Sequence, residues 1–449
     1  MNAIPTFVIN LKKRIERREH ILKEFNQREE FDVTIVEAQE HKKGAMGLWN
    51  TVQSILQKQL NSAHEYIIIC EDDHQFTDAY SKELLFSAIA NVRAKNADLL
   101  CGGVSWFTDA LAISESIFWV DKFSGFQFTV IFRHFFTTIL HADFREDDVT
   151  DLKIASLAEN KFFLFPFISV QKDFGYSDVT DKNNSVGRVD GLFANSSNKA
   201  KTINYICNYY RNNERSVQVK SNSATYENFT IPTYVVCMPE RPGSVDYIKA
   251  QFKGKGEFDI TLVEAYKNEM GAVNWYLSIR KIVEMAIANC DDVIIICKDD
   301  LTFTDYYSKE EFLQNIMEAF YQRTEILAGG VGEFGIAIPV TKNRFWINAF
   351  HSVQFFVLYK SIFQKILEQS FDDNITVGQL FTNITNYKMT LFPFIANQNE
   401  LDGADMTWDR GEDAESRTLF PATENRFALV QQVYEKYSIS KNVEVMRIN

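Results

Sequence analysis

Apolar and polar residues follow one another along the first hundred positions in blocks that predict strands and helices in turn. Short β-branched or apolar runs predict strands at 6–10, 33–36, 66–70 and 99–101. Apolar residues at helical spacing predict amphipathic helices over 12–28, 48–60 and 81–92. This alternation is the pattern of an open α/β sheet. The run at 66–70 is apolar throughout, which is typical of a strand buried on both faces in a parallel sheet.

The sequence repeats itself once, with a constant offset of 227 residues between matching segments. FDVTIVEA at 31–38 returns as FDITLVEA at 258–265, and YIIICEDDHQFTDAYSKE at 66–83 returns as VIIICKDDLTFTDYYSKE at 293–310. Solenoid repeats have periods of about 20–50 residues. A repeat of this length is therefore a duplicated domain.

The repeat predicts two α/β domains with mostly parallel, Rossmann-like central sheets. They span 1–210 and 231–449, and a polar segment poor in aliphatic residues, 211–230, is interpreted as the linker. Because no insertion separates the matching segments, we also consider the hypothesis that the halves pack as a pseudo-dimer.

Composition narrows the classes of function. The 449-residue chain has 46% hydrophobic and 24% charged residues, which is ordinary for a globular protein. Its net charge of −13 argues against nonspecific nucleic-acid binding, which needs a basic face. Local arginines or a metal ion can still hold a diphosphate. Aromatic residues make up 14% of the chain and favour an aromatic core; exposed rings that stack on sugars are the alternative.

The sequence also bears on location. The first residues lack the order of a signal peptide, since positive charges follow the apolar run instead of preceding it. No stretch approaches the roughly 20 apolar residues that span a bilayer. The 6 cysteines are scattered without a C-x-x-C pair, so we expect reduced thiols in a cytoplasmic protein.

Three consecutive carboxylates, Glu71, Asp72 and Asp73, follow the most apolar predicted strand; we call them the acidic motif. Ligands of open α/β sheets bind beyond the carboxyl ends of the strands. The mutual repulsion of these groups would be relieved by a hard cation such as Mg²⁺ or Mn²⁺. In an extended segment Glu71 and Asp73 share one side and Asp72 takes the other. A solvated acidic turn or a helix cap is the alternative.

Three segments of the first half share their order and spacing with one known enzyme family. VINLKKRIERRE at 8–19 carries Val-Ile-Asn-Leu followed by spaced arginines, and IIICEDDHQF at 67–76 joins an apolar strand to the acidic motif. FPFISVQ at 165–171 carries a Pro-x-x-x-x-Gln pattern. Together they resemble glycosyltransferase family 25, which builds bacterial lipooligosaccharide, over most of residues 5–180.

The resemblance implies a GT-A-like fold and an inverting transfer of a hexose from a nucleotide sugar, usually a UDP-sugar, to a hydroxyl of a glycan or another acceptor. The donor-binding residues that it implies are Asn10, Leu11, Arg14, Arg18, Glu71 and Asp72. Glu71 and Asp73 would hold Mn²⁺ or Mg²⁺, which stabilises charge on the departing diphosphate. For the arginines, a solvated helix face is the alternative.

Inverting transfer also needs a carboxylate that accepts the proton of the acceptor hydroxyl. Asp148 and Asp151 lie in an acidic stretch ahead of the Pro segment, where the family often has an aspartate. Asp178 is a third candidate, and it has a counterpart in Asp405. An aspartate before a helix is commonly only an N-cap, which is the alternative for each.

The second half departs from these motifs. Cys237 replaces Asn10, and Lys298 replaces Glu71. A lysine there either pairs with a neighbouring aspartate or contacts phosphate directly. We therefore expect the first half to be catalytic and the second to have lost or altered donor binding. The acid-rich stretch 407–415 keeps a second site with different chemistry as the alternative.

Two function classes remain after this comparison of motifs. The first is a sugar transferase, and the second is a noncatalytic carbohydrate- or nucleotide-binding protein derived from one. A different phosphate-handling enzyme or a serine hydrolase lacks support, because the sequence has no P-loop and no G-x-S-x-G elbow.

Overall fold

The chain forms two compact units, Met1–Tyr205 and Ile206–Asn449. The computed structural model describes residues 3–175, 185, 187–213, 229–237, 244–266, 271–370, 375–398 and 413–445. Most of the predicted linker, 214–228, lies outside the described residues, and a helix extends to residue 213. Each unit is described by itself below.

The first unit contains twelve of the described strands and the helices between them. The strands are β1 Ile4–Asn10, β2 Phe31–Glu37, β3 Tyr66–Glu71, β4 His74–Phe76, β5 Leu99–Cys101, β6 Trp106–Phe107, β7 Ala110–Ala112, β8 Ile117–Val120, β9 Phe123–Ser124, β10 Phe128–Phe132, β11 Lys161–Leu164 and β12 Ser169–Gln171. The helices are α1 Ile15–Glu24, α2 Gly44–Gln59, α3 Lys82–Arg93, α4 Arg133–Leu140, α5 Thr150–Leu157 and α6 Arg188–Asn213, whose last residues belong to the second unit.

The second unit repeats this order of elements. Its strands are β13 Ile231–Cys237, β14 Phe258–Glu264, β15 Val293–Lys298, β16 Leu301–Phe303, β17 Ile326–Ala328, β18 Glu333–Phe334, β19 Ala337–Pro339, β20 Arg344–Ile347, β21 Phe350–His351, β22 Phe355–Tyr359, β23 Lys388–Leu391 and β24 Ala396–Gln398. The helices are α7 Ser244–Gln251, α8 Gly271–Ala288, α9 Lys309–Tyr321, α10 Lys360–Leu367, α11 Val377–Ile384 and α12 Asp413–Val445.

Each unit is built on an eight-stranded sheet. The order is β2-β1-β3-β10-β5-β11-β8-β7 in the first and β14-β13-β15-β22-β17-β23-β20-β19 in the second. In the first sheet β8 and β10 run against the other six strands. The pairing register also matches at the sequence offset, because Ile4 pairs with Phe31 and Ile231 with Phe258. The predicted α/β class, with two mostly parallel sheets, is confirmed.

The sheet core follows the apolar runs of the sequence. Ile67, Ile68, Ile69 and Cys70 of β3 are all fully buried, as predicted for a strand covered on both faces. One neighbour of β3 is parallel, but the other, β10, is antiparallel. The predicted parallel surroundings of β3 are therefore only half right, since a strand from far along the chain inserts between β3 and β5.

Most of the aromatic side chains pack inside the units. Phe118, Phe128, Phe162 and Phe163 are among the fully buried side chains of the first unit. The 6 cysteines are free thiols, and only Cys290 is exposed. Within the described part of the chain, no helix is long and apolar enough to cross a membrane.

Candidate functional site

Polar side chains collect where the parallel strands of the first sheet end; we call this the carboxyl edge. β1 and β3 are parallel, and β3 and β5 both run against β10, so all three end at this edge. The acidic motif lies at the end of β3. β12, from the FPFISVQ segment, pairs with β4 directly after the motif, and Lys172 N donates to Asp73 O at 2.8 Å. The three segments that carry the family resemblance are thus contiguous in the fold.

The carboxyl groups of Asp72 and Asp73 are held by groups from β1 and α1. Asn10 Nδ2 donates to Asp72 Oδ2 at 2.9 Å, and Arg14 Nη1 approaches Asp72 Oδ1 at 3.5 Å. Arg17 Nη1 lies 3.2 Å from Asp72 Oδ1 and 2.9 Å from Asp73 Oδ2. Asp72 and Arg17 are buried, at 3% and 4% exposure. Buried charges of this kind persist only when they are paired and hydrogen-bonded.

The acidic motif is not extended beyond Glu71. Asp72 and Asp73 form a turn, which lets one guanidinium reach both aspartates. The alternation that assigned Asp72 to the opposite side therefore does not hold. Sequence reasoning assumed a continuing strand, but β3 ends at Glu71 and the short strand β4 begins at His74.

The pKa values of two carboxyl groups of the motif are raised. Burial raises the pKa of Glu71 well above its usual range, and the carboxylates of Asp73 and Asp151 add to this effect. Burial raises the pKa of Asp73 to about 6, although the Arg17 guanidinium opposes the shift. A bound cation would lower both pKa values, because it favours the charged form.

A cavity of about 440 Å³ opens beside the motif; we call it the edge cavity. Its volume lies in the range of small-molecule sites, about 300–1,000 Å³. The lining combines both signs of charge with apolar surface from β1, the loop after β2, the start of α2 and the motif. The lining residues are Ile9, Leu11, Lys13, Arg14, Ala38, Gln39, Glu40, His41, Lys42, Gly44, Gly47, Leu48, Glu71 and Asp72.

The first turn of α2 forms one wall of the edge cavity. Gly44, Gly47 and Leu48 line it, and this turn carries no acidic residue. Gly47 permits the close approach of the loop, because a Cβ there would lie 2.4 Å from Gln39 O. Thr51 anchors the same loop, since Gln39 N donates to Thr51 Oγ1 at 2.9 Å. Unpaired N–H groups at a helix N-terminus favour phosphate.

The motif fits a divalent cation that takes part of its coordination from a phosphate ligand. Asp73 Oδ1 is buried and has no hydrogen-bond partner among the described residues, and Glu71 faces the edge cavity. Mg²⁺ is usually held by one or two carboxylates together with substrate phosphates and water. No group of three or more His, Cys, Asp or Glu side chains within the described ranges forms a metal cage of its own.

The three candidate bases fall in different environments. Asp151 lies at the start of α5; its Oδ2 accepts hydrogen bonds from Ser124 Oγ at 2.7 Å and Gly125 N at 2.9 Å. This places it near Glu71, whose pKa it raises. Asp148 instead accepts from Arg145 N at 2.8 Å and pairs with Lys153 at 3.1 Å. Asp178 lies outside the described residues.

Among the sequence-predicted donor residues, Asn10, Leu11, Arg14, Glu71 and Asp72 meet at the carboxyl edge. Arg18 does not join them there, because its side chain is exposed on α1. Arg17, which was not among the predicted donor residues, is the arginine that binds both aspartates. Sequence reasoning also missed the contribution of the loop after β2 to the edge cavity.

The second unit lacks several of these groups at the corresponding positions, 227 residues later. Asn10 corresponds to Cys237 and Arg17 to Ser244. Glu71 corresponds to Lys298, Asp151 to Gly378 and Ser124 to His351. Structural pairs are retained: Thr77 Oγ1 donates to Phe167 O, and Thr304 Oγ1 donates to Phe394 O, both at 2.6 Å. Several of the differences between the two halves thus lie at the carboxyl edge.

In the second unit, larger side chains stand at positions that correspond to lining residues of the edge cavity. Trp275 stands at the position of Leu48, and the Lys298 ammonium lies 5.4 Å from the centre of its ring. Both side chains are buried, at 4% and 6% exposure. A cation over the face of Trp is attracted by the ring. Arg241, the counterpart of Arg14, and most of the acid-rich stretch 407–415 lie outside the described residues.

No protein-family model matches this sequence, and no curated protein matches it. The solved structures that are similar to part of it include two of UDP-glucose pyrophosphorylase. One is apo UDP-glucose pyrophosphorylase, with 8% identity, a TM-score of 0.26, and coverage of 43% of this chain and 82% of that chain. The other is UDP-glucose pyrophosphorylase complexed with UDP-glucose, with 12% identity, a TM-score of 0.25, and coverage of 44% and 81%. Both TM-scores are low, and neither similarity assigns a role to a residue of this chain.

Proposed function

We propose that the first unit is a metal-dependent glycosyltransferase that moves a hexose from a nucleotide donor, UDP-linked, to a hydroxyl of a glycan acceptor. The observation that carries this proposal is the convergence of Asn10, Arg14 and Arg17 on the acidic motif beside the edge cavity, where Asp72 is buried and Asp73 half-buried. The motifs resembling glycosyltransferase family 25 are the segments that build this site.

The edge cavity suits the donor. Its volume of about 440 Å³ can enclose much of a nucleotide sugar. Lys13, Arg14 and Lys42 supply positive charge for a diphosphate, and the N-terminus of α2, which favours anions, lines the same cavity. Leu11 and Leu48 provide apolar walls for a base or ribose.

Glu71 and Asp73 would hold the cation, Mn²⁺ or Mg²⁺. When bound, it would neutralise charge on the leaving diphosphate. Asn10 and Arg17 have a separate part: they fix the turn at Asp72 and Asp73, so that Asp73 Oδ1 stays buried. Preorganised carboxylates need no rearrangement when donor and cation bind.

Asp151 is the proposed base for an inverting transfer. The acceptor oxygen forms a bond to the anomeric carbon of the donor sugar, and the bond from that carbon to the diphosphate oxygen breaks. Its electron pair leaves with the nucleoside diphosphate, and the acceptor proton moves to the Asp151 carboxylate. Hydrogen bonds from Ser124 and Gly125 hold this carboxylate in one orientation.

The first experiment is turnover of UDP-, GDP- and CMP-sugars, with and without a glycoside acceptor, in Mn²⁺ and in EDTA. We expect turnover of a UDP-sugar that requires the metal and falls by a factor of about 100 or more in Asp73→Asn, as expected for loss of a charge-stabilising group. Asp151→Asn should reduce transfer while UDP binding persists, because Asp151 does not line the edge cavity.

Asp300→Asn is the matched control, since it makes the same substitution at the corresponding position of the second unit. It should keep full activity. Loss of turnover in Asp300→Asn alone would assign the chemistry to the second unit. Metal-dependent UDP binding without turnover of any donor, even with acceptors, would favour the noncatalytic binding protein over the enzyme.

A further inference from the structure

Trp106, a large aromatic side chain of the first unit, is not part of the core. Trp106 in β6 is 46% exposed, whereas Trp49 and Trp119 of the same unit are 2% and 4% exposed. β6 follows the end of β5 after Gly102 and Gly103, so Trp106 lies at the carboxyl edge. Trp106 therefore has the exposure that the sugar-stacking alternative raised from composition requires.

Trp106 lies beside the proposed base. In the antiparallel pair of β6 and β9, Trp106 is directly opposite Ser124. Side chains at opposite positions lie on the same face, with Cβ atoms about 5 Å apart. Ser124 Oγ donates to Asp151 Oδ2 at 2.7 Å, so the residue opposite Trp106 is bonded directly to the carboxylate of the proposed base.

The ribbon that carries Trp106 is tied to the acidic motif. Glu71 N donates to Gln127 O at 3.1 Å, three residues after Ser124. Gln127 Nε2 donates to Gly103 O at 3.0 Å, three residues before Trp106. Gly103 allows this close packing, because a Cβ there would lie 2.2 Å from Ser169 O. These hydrogen bonds thus connect the backbone on both sides of the β6–β9 ribbon to the end of β3, where the proposed donor site lies.

We propose that Trp106 forms the acceptor subsite and that the acceptor is a pyranoside whose apolar ring face stacks on the indole while one hydroxyl points to Asp151. This rests on the proposed function, since it assigns the second substrate of the same site. A pyranose presents C–H groups on one face, which an exposed indole can cover, and hydroxyls at its rim, which a carboxylate can bind.

The second unit supports a ligand-binding role over a structural one. Glu333 stands at the position of Trp106, and β18 still pairs with β21 in the same register. The ribbon therefore forms without a tryptophan at this position. Trp106 is absent from the unit that also lacks counterparts of Ser124 and Asp151.

The direct test uses the fluorescence of the exposed indole. Acrylamide quenching is measured for the wild type and for Trp106→Phe, and their difference isolates the Trp106 emission. Methyl β-D-galactopyranoside and methyl β-D-glucopyranoside are the probes, with UDP and Mn²⁺ present, and glycerol at equal osmolality is the control. We expect at least one glycoside, and not glycerol, to protect Trp106 from quenching.

The kinetic test separates acceptor from donor. With 4-nitrophenyl glycosides as acceptors, Trp106→Ala should raise the acceptor KM about tenfold, the loss expected for one aromatic contact. Its donor KM and donor hydrolysis should not change. Trp106→Phe should keep an acceptor KM close to that of the wild type, because it keeps an aromatic ring. Tyr205→Ala removes another exposed aromatic of the first unit, 69% exposed, and should behave as wild type.

The outcomes distinguish this subsite from the proposed function. An unchanged acceptor KM in Trp106→Ala overturns the subsite, even when donor turnover is normal. Absence of protection by every glycoside also overturns it. Protection by a glycoside in a protein that neither binds nor hydrolyses any nucleotide sugar would retain the sugar subsite and reject the transferase.

Discussion

The helical phase of α1 decides which arginine serves the site. Arg17 and Ile21 lie one turn apart on the inward face, at 4% and 0% exposure. Arg18 and Leu22 form the neighbouring outward stripe, and Leu22 is 48% exposed. From sequence alone, Ile21 and Leu22 are equally good core residues, so the arginine that precedes each by four positions could not be distinguished. The choice depends on the packing of α1 against the sheet, which is nonlocal.

Removal of the Arg17 side chain should destabilise the first unit. Arg17→Ala removes the guanidinium from the buried Asp72 and the half-buried Asp73, and breaking a buried ion pair such as Arg17–Asp72 costs about 3–5 kcal/mol. Arg18→Ala is the matched control and should change the free energy of unfolding by less than about 0.5 kcal/mol, as exposed substitutions do. Urea unfolding in EDTA measures both.

The same experiment has an internal check. In the double variant Arg17→Ala/Asp73→Asn, one of the two orphaned carboxylates is gone, so part of the lost stability should return. Equal stability of Arg17→Ala and Arg18→Ala would show that the guanidinium is not the main partner of the buried acids.

The candidate bases Asp148 and Asp151, together with Trp106, show the limit of what local patterns predict. Asp148 and Asp151 are three positions apart in one acidic stretch, and each satisfied the sequence criteria for a base. They differ only through partners distant in sequence, since Asp151 accepts from Ser124 and Gly125. Trp106 carried no sequence signal of its own, because exposure of a ring is decided by what packs over it.

At the scale of elements, local pattern predicted the strands and helices of the first hundred residues except the short strand β4. It also placed the acidic motif at the carboxyl edge, because a buried strand followed by acids is readable from adjacent residues. The insertion of β10 between β3 and β5 was not predicted. Strand pairing across some 60 residues depends on the competition among whole strands, which periodicity does not encode.

In each unit a buried lysine binds the carbonyl groups at the C-terminal end of one helix. Lys161 Nζ donates to Ala155 O and Ala158 O at the end of α5, and Lys388 Nζ donates to the corresponding Thr382 O and Thr385 O at the end of α11. A cation at a helix C-terminus interacts favourably with the last carbonyl groups. Burial lowers the pKa of Lys161, and it lowers the pKa of Lys388 to about 8.

This pKa shift predicts a stability that rises with pH. Between about pH 8 and pH 10.5 the unfolded chain keeps a proton on Lys388 that the folded chain releases, so stability from this group increases with pH. The Tm of the wild type minus that of Lys388→Met, measured by calorimetry, should therefore increase between about pH 7.5 and about pH 9.5.

An exposed lysine of the same unit provides the control for this helix cap. Lys360 donates to Asp292, and this bond raises the pKa of Lys360 above its usual value. Its charge should stay constant over the range of the experiment, so Lys360→Met should show a difference in Tm that is flat with pH. A flat difference for Lys388→Met as well would mean that the folded state keeps this lysine charged.

At the scale of the whole chain, duplication gives the molecule a built-in comparison. The two sheets share strand order and register, so differences in fold do not explain differences between their carboxyl edges. Cys237, Ser244, Lys298 and Gly378 replace the groups that bind the aspartates or lie near them in the first unit. The second unit keeps its aspartates, Asp299 and Asp300, buried.

We therefore expect one nucleotide site in each chain. Trp275 and Lys298 are buried where the first unit has Leu48 and Glu71, two lining residues of the edge cavity. Titration calorimetry with UDP and Mn²⁺ should give a stoichiometry near one. Asp73→Asn should abolish the binding, and Asp300→Asn should leave the stoichiometry unchanged. Two equivalents of UDP, one of them lost in Asp300→Asn, would show instead that the second unit binds nucleotide through groups of its own.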